Sequence, residues 1–291
     1  MELLALWEEK YTAGGVRCDP ELLVFGRAET RGGGDEWGAL YYSQAREEYK
    51  TKVEAAGLQN SSFDPELMGR MEIGRFAGQI IAANPNSLFP GHLVIYPEVK
   101  HVRLTAADVS AITQIASDHP DYTFIHNMER SAASIVDWVH FQGYARALPI
   151  VGADSEMLAE TPRLSVHRLT PDYPAFGVIV RWIDADAATE FVVGVCERLY
   201  SNDNPRKQPV AFNLIFSGTD IAVFPRGSSQ SELAASYFGA LEFGGIFCLP
   251  NADRLREYLP ASLRREIADA SVWKEPEMVD WLVATARELA L

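Results

Sequence analysis

Two periods run through this chain. Apolar residues alternate with polar ones in short runs, as in half-buried strands. Elsewhere they return every three or four residues, as on the inward face of a helix. In Ser134-Ile-Val-Asp137-Trp138-Val139-His140-Phe141-Gln142-Gly-Tyr144 the period is two, which predicts a strand with Trp138, His140 and Gln142 on a wet face and Val139 and Phe141 on a dry one. Residues 122–127 also read as a strand. Helices are predicted from Thr105 to about residue 119, over 186–200, over 255–270 and over 276–290. Thr105 with Asp108 three residues on has the form of a capping box. The last two helices are amphipathic and are expected to cover a sheet.

The pattern breaks into glycine, acids and proline between Leu148 and Pro162, which sets a boundary between residues 1–152 and 153–291. Two strands, a helix, a polar loop over 201–207 and two more strands follow. Near the start, Gly32-Gly-Gly34 lacks the Lys/Ser/Thr pattern of a P-loop and reads as a connector, and residues 43–57 are rich in helix formers. The elements predict an α+β fold, a mainly antiparallel sheet with helices on one face.

Composition narrows the function. The chain has 291 residues, 47% hydrophobic and 23% charged, as in ordinary globular domains, so a sizeable core is within reach. A net charge of −14 argues against nucleic acid or an anionic membrane as the main partner, because both require basic surface. A small anion held by local donors remains compatible. Cys18, Cys196 and Cys248 are scattered, so neither a disulfide framework nor a zinc knuckle is indicated. The opening residues lack a basic leader and no run reaches membrane-spanning length, which predicts a reducing, cytoplasmic setting.

The predicted strand at 138–142 carries the candidate chemistry. An imidazole can attack phosphorus, and an amide two residues along can hold a phosphoryl oxygen without bringing a proton that must be managed. A lone strand histidine is more often structural, so the assignment depends on its surroundings. Asp137 falls on the other strand face and is not the obvious partner of His140.

Those surroundings include Ile80-Ile-Ala-Ala-Asn84-Pro-Asn86-Ser-Leu-Phe89-Pro90-Gly91-His92-Leu-Val-Ile-Tyr-Pro97, then the helix from Thr105, then Tyr122-Thr-Phe-Ile-His126-Asn127. This order resembles the histidine triad (HIT-like) superfamily, in the branch of galactose-1-phosphate uridylyltransferase, diadenosine tetraphosphate phosphorylase and GDP-hexose phosphorylase. Ala211-Phe-Asn213, Pro225-Arg226 and Gly239-Ala-Leu241-Glu-Phe243-Gly extend the likeness to about residue 250. The resemblance implies two related HIT-like halves and a nucleotidyltransferase or phosphorylase acting on a nucleoside diphosphate-sugar or dinucleoside polyphosphate through a nucleotidyl-histidine. It makes His140 the nucleophile and Gln142 a catalytic donor to phosphate. Asn84 would hold ribose, and Asn127, Arg130, Ser131 and Ser134 would meet the phosphates, with Arg226 reaching in from the second half and His92 holding its turn. Gln44 and Arg46 match the branch loosely.

The branch has a histidine where this chain has Trp138, whose indole can donate a hydrogen bond but not accept one. On the strand reading, Trp138 borders the phosphate site and helps to bind substrate. The departure also supports an alternative, a nucleotide-binding protein of this fold that has lost turnover. The implied acceptor is phosphate or a sugar phosphate, with water as acceptor in a hydrolase. No metal or other cofactor is called for, and relatives imply a homodimer.

Overall fold

The computed structural model describes residues 2–18, 23–29, 36–42, 65–129, 131, 133, 135–228, 238–249 and 260–291. The predicted connector at Gly32–Gly34 and the helix over 43–57 lie outside the described residues. The N-terminal part holds α1 (Leu3–Thr12), β1 (Arg17–Cys18), β2 (Leu23–Glu29), β3 (Glu36–Tyr42) and α2 (Pro65–Met71). Next come β4 (Glu72–Phe76), β5 (Gln79–Ala83), the short β6 (Asn86–Ser87), β7 (Leu93–Pro97), α3 (Ala106–Asp118), β8 (Thr123–Asn127) and β9 (Phe141–Tyr144). The second half contributes β10 (Ser155–Glu160), β11 (Leu164–Leu169), β12 (Val178–Trp182), α4 (Ala185–Tyr200), β13 (Phe212–Ser217) and β14 (Asp220–Pro225). It closes with α5 (Ala240–Phe243), β15 (Ile246–Leu249), α6 (Pro260–Ala270) and α7 (Pro276–Ala290). Among these, no helix is long and apolar enough to cross a membrane.

One ten-stranded sheet, wholly antiparallel, organises the molecule in the order β10-β11-β12-β14-β13-β8-β9-β7-β5-β4. Outward from the β8–β13 seam, both sides repeat one plan: a three-stranded meander, a crossing helix, then two strands that fill the gap beside the seam. The chain is therefore two units of one plan joined in a single sheet. Thr105 caps α3 as its spacing predicts. Its hydroxyl oxygen accepts from Asp108 N–H, and the Asp108 carboxylate accepts from Thr105 N–H. Asp184 caps α4 by accepting from the N–H groups of Asp186 and Ala187.

The two faces of the sheet bury different clusters. Helices α3, α4 and α7 pack together over Ile95, Phe124, Leu214, Phe216 and their neighbours. The expectation of helices on one face only is corrected, because Ile125, Ile215, Ala222 and Phe224 on the other face are covered by α5, β15 and α6. Each fully buried aliphatic or aromatic side chain here contributes about 1.5–3 kcal/mol. Two interrupted faces, each requiring its own cover, explain why the last two helices end on opposite sides.

A second correction concerns the catalytic segment. The strand expected from Ser134 is formed only over β9, and residues 136–138 bend. Pairing of β7 with β9 runs Leu93↔Gly143, Val94↔Gln142 and Ile95↔Phe141, so the next in-register positions would bring Val139 to Pro97. Proline offers no N–H, and the ladder ends there. Val139 N–H instead donates to His101 O at 2.8 Å, and the Trp138 indole donates to Pro97 O at 3.2 Å.

Two glycines matter for this geometry. Gly91, in the Pro-Gly-His turn, has φ +76, and a Cβ there would come within 2.7 Å of Ala145 Cβ. A Cβ on Gly143 would come within 2.8 Å of the Phe124 ring. Gly143→Val is expected to destabilise the fold by about 1–3 kcal/mol through overpacking. Denaturant unfolding with an unchanged midpoint would contradict that placement of Phe124.

Candidate active site

The ladder between β8 and β9 pairs Ile125 with Gln142. One step further, the His126 and Phe141 rings are 5.3 Å apart, so the register persists and brings Asn127 opposite His140. His126 Nδ1 lies 2.9 Å from the His140 carbonyl. A carbonyl only accepts, so His126 carries its proton on Nδ1 and ties the His140 backbone to β8.

The same logic fixes His140. Its Nδ1 is 3.1 Å from the Trp138 carbonyl and must be the protonated nitrogen, which leaves a lone pair on Nε2. Burial pushes the His140 pKa down, against the opposing pull of that backbone bond, so the ring is neutral at pH 7. Only 3% of the residue is exposed, and among the described residues Nε2 makes no hydrogen bond.

Two carboxamides flank this ring with their oxygens already occupied. Gln142 Oε1 accepts from Tyr144 OH at 2.6 Å and from His92 Nε2 at 3.2 Å. His92 can donate there because its Nδ1 accepts from Leu88 N–H at 3.0 Å. Asn127 Oδ1 accepts from Asn213 Nδ2 and from Ala240 N–H, both at 2.7 Å. Each amide therefore turns its NH2 group outward as a donor, with no partner among the described residues. Donors of that kind suit a phosphoryl oxygen on which negative charge develops.

Asn84 joins the edge of this group. Its Oδ1 accepts from Asn86 N–H at 2.9 Å, and its Nδ2 lies 3.2 Å from the His92 nitrogen that faces Gln142. Ser131 is different: it is fully buried, and its hydroxyl donates to Met128 O at 2.6 Å, closing the turn after β8. Arg130 and Ser134 lie outside the described residues. Asp137 lies in the bend, exposed, and pairs with Lys100 at 2.5 Å. Trp138 sits in the bend, edge-on to Tyr96 at 5.8 Å, and borders a cavity at the end of the sheet rather than a strand face shared with His140 and Gln142. Arg226 is buried and serves the framework. Its guanidinium donates to Phe238 O and lies over the Phe243 ring, holding the segment whose Ala240 N–H meets Asn127.

Three contributors were not legible as site residues. Asn213 aims Asn127 and also donates to Ser131 O at 2.9 Å, and Gly239 is glycine because a Cβ would come within 2.8 Å of the Asn127 amide. The third is the His101–Asp108 pair. His101 Nδ1 lies 2.9 Å from Val99 O and its Nε2 2.8 Å from the Asp108 carboxylate, while its own carbonyl accepts from Val139 N–H next to His140. Burial raises the Asp108 pKa, but hydrogen bonds from Thr105, His101 and Gln79 outweigh it and hold the carboxylate below its usual value. The only sequence signal here was the capping box at Thr105.

The two units differ at the site. In the first, a long excursion over residues 128–140 separates β8 from β9; in the second, β13 turns into β14 through Gly218 and Thr219 alone. Ile125 and Ile215 pair across the seam, Ile125 pairs with Gln142, and Ile215 pairs with Ala222. The second unit thus has alanine where the first has its glutamine, and Asp220 two residues earlier where the first has His140.

No protein-family model and no curated protein sequence matches the chain. Among solved structures, yeast Ap4A phosphorylase Apa2 in complex with AMP aligns with a TM-score of 0.67 at 11% identity, over 92% of this chain and 94% of that one. The same enzyme in complex with Ap4A gives 0.64 at 12% identity, over 92% and 95%. The chain shares its fold with that phosphorylase. At this identity the likeness is one of fold, with nearly all of both chains included.

Burial lowers the His126 pKa to about 4, with the bond to His140 O opposing. Between about pH 4 and 6.5 the unfolded chain binds a proton that the fold refuses, so stability rises with pH across that window and is lost as pH falls. The expected loss from His126 is on the order of 3 kcal/mol. Chemical denaturation at pH 7 and pH 4.5 measures it, and a flat profile would contradict a neutral, buried His126.

Proposed function

We propose that this chain is a nucleotidyltransferase of the phosphorylase type, cleaving a dinucleoside polyphosphate through a nucleotidyl-His140 intermediate. The observation that supports this most directly is the tautomer of His140, protonated at Nδ1 toward Trp138 O and unprotonated at Nε2, beside two amides that present NH2. The fold shared with a phosphorylase whose structures hold AMP and Ap4A favours a dinucleoside polyphosphate over a nucleotide sugar.

In this mechanism His140 Nε2 forms a bond to the α-phosphorus, and the bond from that phosphorus to the bridging oxygen breaks, its electron pair leaving with the rest of the polyphosphate. Gln142 and Asn127 donate to the phosphoryl oxygens as charge builds there. Inorganic phosphate then attacks the same phosphorus, and the P–N bond breaks to restore neutral imidazole. Asn84 meets ribose, and Arg130, Ser131 and Ser134 belong to the loop that would line the phosphates, with Ser131 acting through the turn it closes. Trp138, in place of the branch histidine, supports a second reading in which nucleotide binds without turnover.

Incubation with Ap4A in the absence of phosphate should give an acid-labile adduct of one AMP per chain, detected by intact-protein mass. His140→Ala should form no adduct and lose turnover while still binding AMP. Turnover retained in His140→Ala would remove the covalent mechanism, and binding without adduct in the native chain would support the second reading. Gln142→Ala should lower kcat by about 10²–10³ with a smaller change in KM.

A further inference from the structure

A cavity of about 310 Å3 opens at the end of the sheet, where β8 runs out beneath the C-terminal end of α4. Its described walls include Trp138, Tyr200, Met128 and Ile135, with His126 at its base. Asn127 and Val139 also line it, so it adjoins the His140 segment, while Gln142, His92 and Asn84 are not among its walls. The volume is at the lower end of small-molecule pockets, about 300–1,000 Å3, and matches a ring system better than a whole nucleotide.

Three features describe an occupant. His126 has committed Nδ1–H to His140 O, so Nε2, which has no partner among the described residues, can only accept. Trp138 and Tyr200 provide aromatic walls suited to a flat ring. At the mouth, Arg103 lies over the Tyr200 ring at 5.9 Å and makes no ion pair among the described residues, while Val102 and Val136 frame the opening at 63% and 51% exposure. Glu129 stands on the same rim, where ribose hydroxyls rather than phosphate would be tolerated.

We infer that this cavity is a second nucleotide site, adjoining the His140 site at Asn127, which takes a purine base inside with an exocyclic N–H toward His126 Nε2 and the phosphate at Arg103. The occupant would press on the nucleophile from behind: a donor at Nε2 strengthens the Nδ1–H bond that anchors the His140 carbonyl. Nucleotide level would thereby tune turnover at the other face.

Calorimetry with AMP tests this. The native chain should bind two AMP, and Val102→Trp, a change at an exposed rim position that fills the mouth, should bind one. Arg103→Ala should weaken AMP at this site by roughly fivefold or more and leave adenosine unaffected. His126→Phe should weaken both by about five- to tenfold. AMP should quench tryptophan fluorescence in the native chain, and Trp138→Phe should remove most of that signal. A Val102→Trp variant that binds AMP with native stoichiometry and affinity would overturn the second site. One AMP bound to the native chain and lost in Val102→Trp would keep the second site and overturn the reading of the His140 face instead.

Discussion

One antiparallel seam, β8 against β13, is the contact on which everything else rests. It joins the two units into a single sheet, and it brings Asn213 of the second unit to Asn127 of the first. Without that pairing the first unit has an exposed strand edge, and the Asn127 amide has nothing to set its orientation. A bond of this type between two neutral amides contributes only about 1 kcal/mol net. Its importance is directional: it helps to decide which end of the Asn127 side chain is left free to donate.

The same device recurs at Gln142. A carboxamide is ambiguous because its two ends are nearly the same shape, and only the surrounding donors and acceptors break the tie. Here donors from Tyr144, His92, Asn213 and the Ala240 backbone all take the oxygens. The result, among the described residues, is a pair of NH2 donors oriented without a charged side chain, in a chain with a net charge of −14. Local dipoles rather than overall charge define such a site.

The histidines form a second layer of the same logic. His140 and His126 each direct Nδ1–H to a backbone carbonyl and are kept neutral by burial, so both are in the form that accepts at Nε2. His101 is arranged otherwise, set between Val99 O and the Asp108 carboxylate, and its carbonyl holds the segment entering β9. The duplicated unit has none of this. With Asp220 and Ala222 at the equivalent places and a tight turn in place of the long loop, it supplies framework to the first unit.

The sequence by itself determined the elements whose signals are local. Thr105 and Asp108 specify a helix start three residues apart, and Phe141 to Tyr144 alternate as a strand must. The residue types at His140, Gln142 and Asn127 are those the proposed phosphoryl chemistry uses. Only tertiary structure decided where β9 begins, because that depends on Pro97, a residue 41 positions before Trp138, withholding an N–H from the ladder. It also decided which way each amide faces and that Trp138 turns toward the end of the sheet. Asn213, Gly239 and His101 act from distant stretches of chain, and no periodicity or spacing links them to His140; contact across the seam does.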